Sequence, residues 1–397
     1  MSGARRAPVL VAVLTAVLAA CGGQPAPPAA PAPADTPSAR AAAPSAAPAP
    51  ADPAAACVQQ ALDGLDTRGR AAQLIMAGVP ADGLTGAGRA ALAAGAGGVI
   101  LTDAAGGEAS AAQVAATTRA VQQAARLPVT VATDQEGGKV QDLKGAGFTR
   151  IPSATAQGRD VAGLREEAEG WGREMSEAGV TLDLAPVADV VDPALGKANE
   201  PVGALDRGFG TDPRRVGQAV TAFVEGLDAG GVDATLKHFP GLGRVRENTD
   251  FAGAADSRTG VDDPGLASFR AGIAAGAPVV MMSSAVYERI DPENRALFSR
   301  DVITDLLRGR LGFTGVVTTD DVGAARAVAD VPVGQRAVRF VAAGGDQVLT
   351  IEPGDVEPMV DALVEAADEP AFAARVTESA RRILALKAGR GVLRCAP

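Results

Sequence analysis

The chain has 397 residues, 47 of them acidic and 37 basic, for a net charge of −10, and a single His, Trp and Tyr. An acidic chain with few aromatics is a poor nucleic-acid binder, and one His with three scattered Cys excludes a multi-histidine zinc site. At 47% hydrophobic and 21% charged residues, the composition fits an ordinary soluble core.

The N-terminus reads as an address and a tether. Arg5 and Arg6 precede an apolar stretch from Pro8 to Ala20, of signal-peptide length and too short to span a bilayer. It ends Leu18-Ala19-Ala20-Cys21, which resembles a bacterial lipobox and makes Cys21 the expected lipidation site. The alternative is ordinary secretion with cleavage nearby. Residues 1–20 are therefore expected to be a lipoprotein signal peptide, and residues 21–56 a Pro/Ala-rich linker. Nothing large and apolar is present in that linker to offset chain entropy, so it is expected to be a disordered, extended spacer. The globular part is expected over 57–397, outside the cytoplasmic membrane and anchored to its outer face by lipid.

Eight short apolar or β-branched runs follow, each succeeded by a helix-like stretch: Gln73–Val79, Gly98–Leu101, Val129–Thr133, Thr181–Val187, Ala234–His238, Val279–Ser283, Gly315–Thr319 and Gln347–Ile351. Helices are expected at Val161–Ala178, Pro213–Ala229 and Asp301–Leu311; in the last, Val302, Ile303, Leu306 and Leu307 recur at helical spacing. Strand–helix alternation implies a parallel sheet with crossover helices, and eight units in one domain fit a (β/α)8 TIM barrel. A doubly wound open sheet is the alternative, weakened because no Gly-x-Gly-x-x-Gly follows the first strand. Cys57 and Cys395 bracket the globular part. A closed barrel would bring its ends together, and an oxidising compartment would then permit a Cys57–Cys395 disulfide; free thiols are the alternative.

In such a barrel the chemistry sits at the C-terminal strand ends. Strand three ends Asp134-Gln135-Glu136-Gly137-Gly138, and strand four leads to Asp183 and Asp189. Strand five carries Lys237-His238-Phe239-Pro240-Gly241, and strand seven ends Thr318-Thr319-Asp320-Asp321. A ring of carboxylates with one Lys and one His, and no phosphate-cradling loop, points to carbohydrate chemistry. Carboxylates and cations grip sugar hydroxyls, and a carboxylate pair can break a glycosidic bond.

These stretches resemble glycoside hydrolase family 3, in particular its single-barrel β-N-acetylglucosaminidases. Asp134 to Gln141 with Ile151-Pro152-Ser153, Lys237 to Gly241, and Gly312 to Asp321 carry the resemblance. Asp183 to Val190 and Arg207 to Pro213 support it. The resemblance implies that Asp320 is the nucleophile, that Asp134, Arg207, Lys237 and His238 hold the sugar, and that no cofactor or metal is needed. It also implies a GlcNAc-containing oligosaccharide as partner, from cell-wall fragments or chitooligosaccharides. A monomer is expected.

The acid/base loop departs from the family. Leu242 stands where the family has a second His, and Asn248-Thr249-Asp250 stands where it has Asp-Ser-His, so both members of the Asp–His dyad are gone. Asp142 stands where many relatives have an Arg that contacts substrate. General acid catalysis typically contributes ~10²–10⁴-fold, so the loss matters. Arg244 stays protonated and is a poor donor, which leaves Asp250 as the candidate acid/base and Glu247 as the second candidate. Two other readings compete with hydrolysis: a sugar-binding lipoprotein on an enzyme's fold, and glycosyl transfer to phosphate or another sugar from the same covalent intermediate.

Overall fold

A computed structural model describes residues 53–395. The expected leader, Cys21 and the linker as far as residue 52 lie outside the described residues. Each of the eight predicted runs overlaps a strand of one parallel sheet: β1 (Ile75–Pro80), β2 (Gly98–Thr102), β3 (Thr130–Thr133), β4 (Leu182–Asp183), β5 (Asp233–Phe239), β6 (Val279–Met282), β7 (Val316–Thr319) and β8 (Val348–Thr350). Neighbours run β7-β6-β5-β4-β3-β2-β1-β8. The ring closes between its two ends through a parallel bridge of Thr318 with Gln347, where the Thr319 N–H donates to the Gln347 carbonyl at 3.0 Å. This is the expected (β/α)8 barrel.

The crossover helices bury one stripe each. Pro213–Ala229 starts with Asp212 as its cap, whose carboxylate accepts from the N–H groups of Arg214 and Arg215 at 2.8 and 3.0 Å. Val216, Val220, Phe223, Val224 and Leu227 recur at helical spacing and are buried. Full burial of each stabilises by roughly 1.5–3 kcal/mol. Phe223 meets Trp171 of the neighbouring helix Val161–Glu177 with ring centroids 5.9 Å apart.

Four details differ from expectation. The first helix, Pro53–Asp63, begins inside the predicted linker. Proline suits the first helical position and three alanines follow it, so the sequence propagates a helix there. The fourth strand pairs regularly only at Leu182–Asp183, because Pro186 has no N–H to give the ladder; Val187 rejoins it beside Lys237. Asp301–Arg310 winds as a π-helix, with the predicted apolar stripe buried all the same. Finally, a hairpin of Gln135–Gly137 with Val140–Gln141 follows β3, and a small sheet of Ala255–Asp256, Val286–Tyr287 and Asp291–Arg295 builds on the loops after β5 and β6.

Cys57 and Cys395 form a disulfide with Cα atoms 5.4 Å apart, as expected for the ends of a closed barrel. It staples the first helix to the residues following the last helix, Pro370–Gly389. Among the described residues no helix is long and apolar enough to cross a membrane.

Candidate active site

Six of the predicted side chains, Asp134, Arg207, Lys237, His238, Asp250 and Asp320, line one cleft of about 570 Å³ at the C-terminal ends of the strands. Its floor is a chain of paired charges. Lys237 is 2% exposed. Its ammonium pairs with Asp134 and, at 2.7 Å, with Glu136. Glu136 also receives Arg207 in a two-pronged fork, Nε at 2.9 Å and a terminal nitrogen at 2.7 Å. The same terminal nitrogen of Arg207 stands 3.3 Å from His238 Nε2, and His238 Nδ1 is 2.8 Å from Asp189.

Burial alone would raise the pKa of Glu136. Arg207 and Lys237 outweigh it and hold the carboxyl down at about 2. Burial likewise opposes the charge on Lys237, and Asp134 and Glu136 restore it, so its pKa lies above the ordinary lysine value. The two cations Arg207 and Lys237 of the cleft are thus fixed in charge and direction by one buried carboxylate. The Glu136 backbone is placed by the turn that follows it. Gly137 has φ +95°, and a Cβ there would lie 2.3 Å from the Pro152 carbonyl oxygen, so only glycine fits.

Of the Asp pair after β7, one member is structural. The Asp321 carboxylate accepts from the N–H groups of Gly323, Ala324 and Ile351, each at 2.9 Å. The Asp320 carboxylate accepts only the Asp321 N–H, at 2.9 Å, among the described residues, which leaves its other oxygen to the cleft. Burial pushes the Asp320 pKa upward and the charge of Asp250 adds to it, against the pull of His238 and Lys237.

The loop from Gly241 to Phe251 forms one wall. At Gly243 a Cβ would sit 1.8 Å from the Val190 carbonyl oxygen, so the backbone passes there only as glycine. Asp189 accepts the Leu242 N–H at 2.8 Å, and buried Asn199 donates to the Leu242 and Val245 carbonyls at 2.8 and 2.7 Å. Arg244 turns away to Thr259 and Asp263. Asp250 ends up in the cleft, with its N–H donating to Asn248 Oδ1 at 3.0 Å. Glu247 does not. It is exposed and lines a separate groove with Arg295 and Arg339, because the loop turns its side chain outward. The structure therefore places this second acid/base candidate outside the cleft.

Asp142 is pushed up to about 8 by burial and by neighbouring Asp134, and so is largely neutral at pH 7. Sequence reasoning gave no role to Glu136 or Asn199. The signal for Glu136 was its place two residues after Asp134 in a Gly-Gly turn; for Asn199 there was none.

The description "Glycosyl hydrolase family 3 N terminal domain" matches residues 68–386. The chain belongs to glycosyl hydrolase family 3. Its relatives include a beta-hexosaminidase of Xanthomonas oryzae pv. oryzae, 38% identical over 255 residues, which are 61% of this chain and 72% of that protein. The crystal structure of the beta-N-acetylhexosaminidase from Beutenbergia cavernae superposes with a TM-score of 0.79 at 43% identity, covering 82% of this chain and 99% of that one. The family 3 beta-N-acetylglucosaminidase of Paenibacillus sp. aligns at 32% identity and TM-score 0.74, over 84% of this chain and 64% of the other. The protein is thus a glycoside hydrolase of family 3, and the cleft described above is its candidate active site.

Proposed function

We propose that the protein is a retaining exo-β-N-acetylglucosaminidase that works on GlcNAc-ended oligosaccharides. Asp320 is the nucleophile and Asp250 the acid/base. The observation that carries this is the cleft itself: one carboxylate with an uncommitted oxygen, a second carboxylate on the loop near it, and a locked grip of Asp134, Arg207, Lys237 and His238. The hexosaminidase relatives support the choice of sugar.

In the first step Asp320 attacks the anomeric carbon as the bond to the leaving oxygen breaks, and Asp250 gives that oxygen its proton. In the second, Asp250 as carboxylate takes a proton from water, which attacks the same carbon and frees Asp320. The reactive enzyme has Asp250 protonated and Asp320 ionised. The two carboxyls feel each other, so protonating one eases ionisation of the other. The lipobox-like Leu18 to Cys21 and the Pro/Ala-rich spacer support attachment through lipidated Cys21 to the outer face of the cytoplasmic membrane.

The test is incubation of the full chain with GlcNAc-β-1,4-MurNAc, with and without phosphate. Release of free GlcNAc is expected in both. Formation of a sugar phosphate instead would establish transfer, and binding without product would establish a sugar-binding role.

A further inference from the structure

Two large apolar side chains are exposed among the described residues, Phe251 at 77% and Ile351 at 37%, and both line the cleft. Phe251 follows Asp250 directly. In the mechanism above, Asp250 meets the departing oxygen, so its part of the loop stands on the leaving-group side of the scissile bond. The loop after β7 is zipped to this same stretch. The Arg326 N–H donates to the Asp250 carbonyl and the Ala327 N–H to the Thr249 carbonyl, each at 3.1 Å.

The Arg326 side chain is exposed, lines the cleft, and has no hydrogen-bonding or ionic partner among the described residues. The cleft's other cations, Arg207 and Lys237, are already held by Glu136 and Asp134. The remaining charge is acidic, from Asp134, Asp250, Asp320 and Asp321. A free guanidinium in such a setting can offset the repulsion an anionic substrate would meet there.

We propose that Phe251 and Arg326 form the leaving-group subsite, and that Arg326 selects a leaving sugar carrying a carboxylate. The proposal rests on the assignment of Asp250 above. Phe251 offers an apolar face to the C–H face of a pyranose ring and has no group that distinguishes one sugar from another. Arg326 offers a planar fork of donors that matches a carboxylate in two-pronged fashion. A neutral leaving sugar gains only the first contact; an acidic one gains both.

The experiment compares kcat/KM of the full chain on three substrates: GlcNAc-β-1,4-MurNAc, whose leaving sugar is acidic; chitobiose, whose leaving sugar is neutral; and β-N-acetylglucosaminyl fluoride, which has no leaving sugar. Arg326→Gln should cost the acidic disaccharide roughly tenfold more than chitobiose, the scale of a charge-assisted hydrogen bond, and the excess should shrink in high salt. Phe251→Ala should cost both disaccharides alike, each more than the fluoride. Equal losses on all three substrates in both variants would overturn the proposal, as would an unchanged preference in Arg326→Gln. If the unsubstituted enzyme cleaves none of them, the hydrolase reading itself fails. Titration of GlcNAc-β-1,4-MurNAc into the unsubstituted and Arg326→Gln proteins then decides, with equal affinities overturning the subsite and weaker binding in the variant supporting it.

Discussion

The floor of the cleft and its loop wall solve the same problem, placing polar groups at a sugar, in opposite ways. The floor is a largely buried relay in which Asp134, Lys237, Glu136 and Arg207 meet charge with charge, continued through His238 to Asp189 by polar contacts. Its side chains hang from β5 and from the segments that follow β3 and β4. The wall is a loop pinned by backbone hydrogen bonds and by Asn199, and it carries Asp250 and Phe251 into the cleft without ion-pairing either of them. The contrast separates a region that resists substitution from one that can absorb it. A buried ion network tolerates no single exchange, because losing one partner strands the other. A loop held by its backbone can exchange side chains, and it is on this loop, at Leu242, Asn248 and Asp250, that the sequence departs from the motif expected by resemblance.

The largest expected effect breaks the chemistry shared by both regions. Asp320→Asn should lower kcat by about 10⁴-fold or more, since no other cleft carboxylate can take its place. The melting temperature should not fall, because the Asp320 side chain accepts only its neighbour's N–H. Loss of the covalent glycosyl-enzyme in a rapid-quench mass spectrum would check it.

Glu136→Gln tests the floor. It leaves Arg207 and Lys237 without a counter-charge between them and should destabilise the fold by roughly 3–5 kcal/mol, read by denaturant unfolding. The carboxylate is held at about 2, below its unfolded value, so its share of stability is present above the unfolded pKa and vanishes as pH falls toward 2. The variant should lack that acid-side loss.

The wall is tested by Asp250→Asn. It should slow disaccharide cleavage by about 10²–10⁴-fold and fluoride cleavage far less, because fluoride departs without a proton. Losing the Asp250 charge also removes one of the influences that raise the Asp320 pKa. The acid limb of kcat/KM for the fluoride should therefore move to lower pH; a limb that stays put or moves up counts against coupling of the two carboxyls. Smallest of all, Glu247→Gln should change kcat/KM less than about twofold, as expected of an exposed side chain outside the cleft. A loss comparable to that of Asp250→Asn would mean the loop reverses itself when sugar binds.

The same contrast governs what the sequence revealed. All eight strands were legible because a barrel strand is an apolar run between polar helices, and the functional side chains stood at the strand ends, where chain order alone locates them. Asp320 could be preferred to Asp321 only by resemblance; the physical reason, three N–H groups occupying Asp321, belongs to a turn that composition does not encode. The weight carried by Glu136 was hidden because its partners Arg207 and Lys237 lie 71 and 101 positions away in the chain. Glu247 and Asp250, acids three residues apart on one loop, could be ranked in the sequence only by their places in the motif expected by resemblance. Which of them faces inward depends on the paths fixed by Gly243, Asn199 and the loop after β7, and that is tertiary information. The helix start at Pro53 and the interrupted fourth strand were open to reading, since proline chemistry predicts both, but linker composition and apolar pattern masked them.

The Cys57–Cys395 bond joins two residues 338 positions apart and makes the barrel a covalent ring. A protease that nicks any loop between them cannot release a fragment. The cut chain stays one molecule, and its two new ends remain tethered beside each other by a folded scaffold. Such a protein should migrate as a single species without reductant and fall into two pieces only when thiol is added, so a single cut at its exposed loops would be invisible to a size measurement run under oxidising conditions.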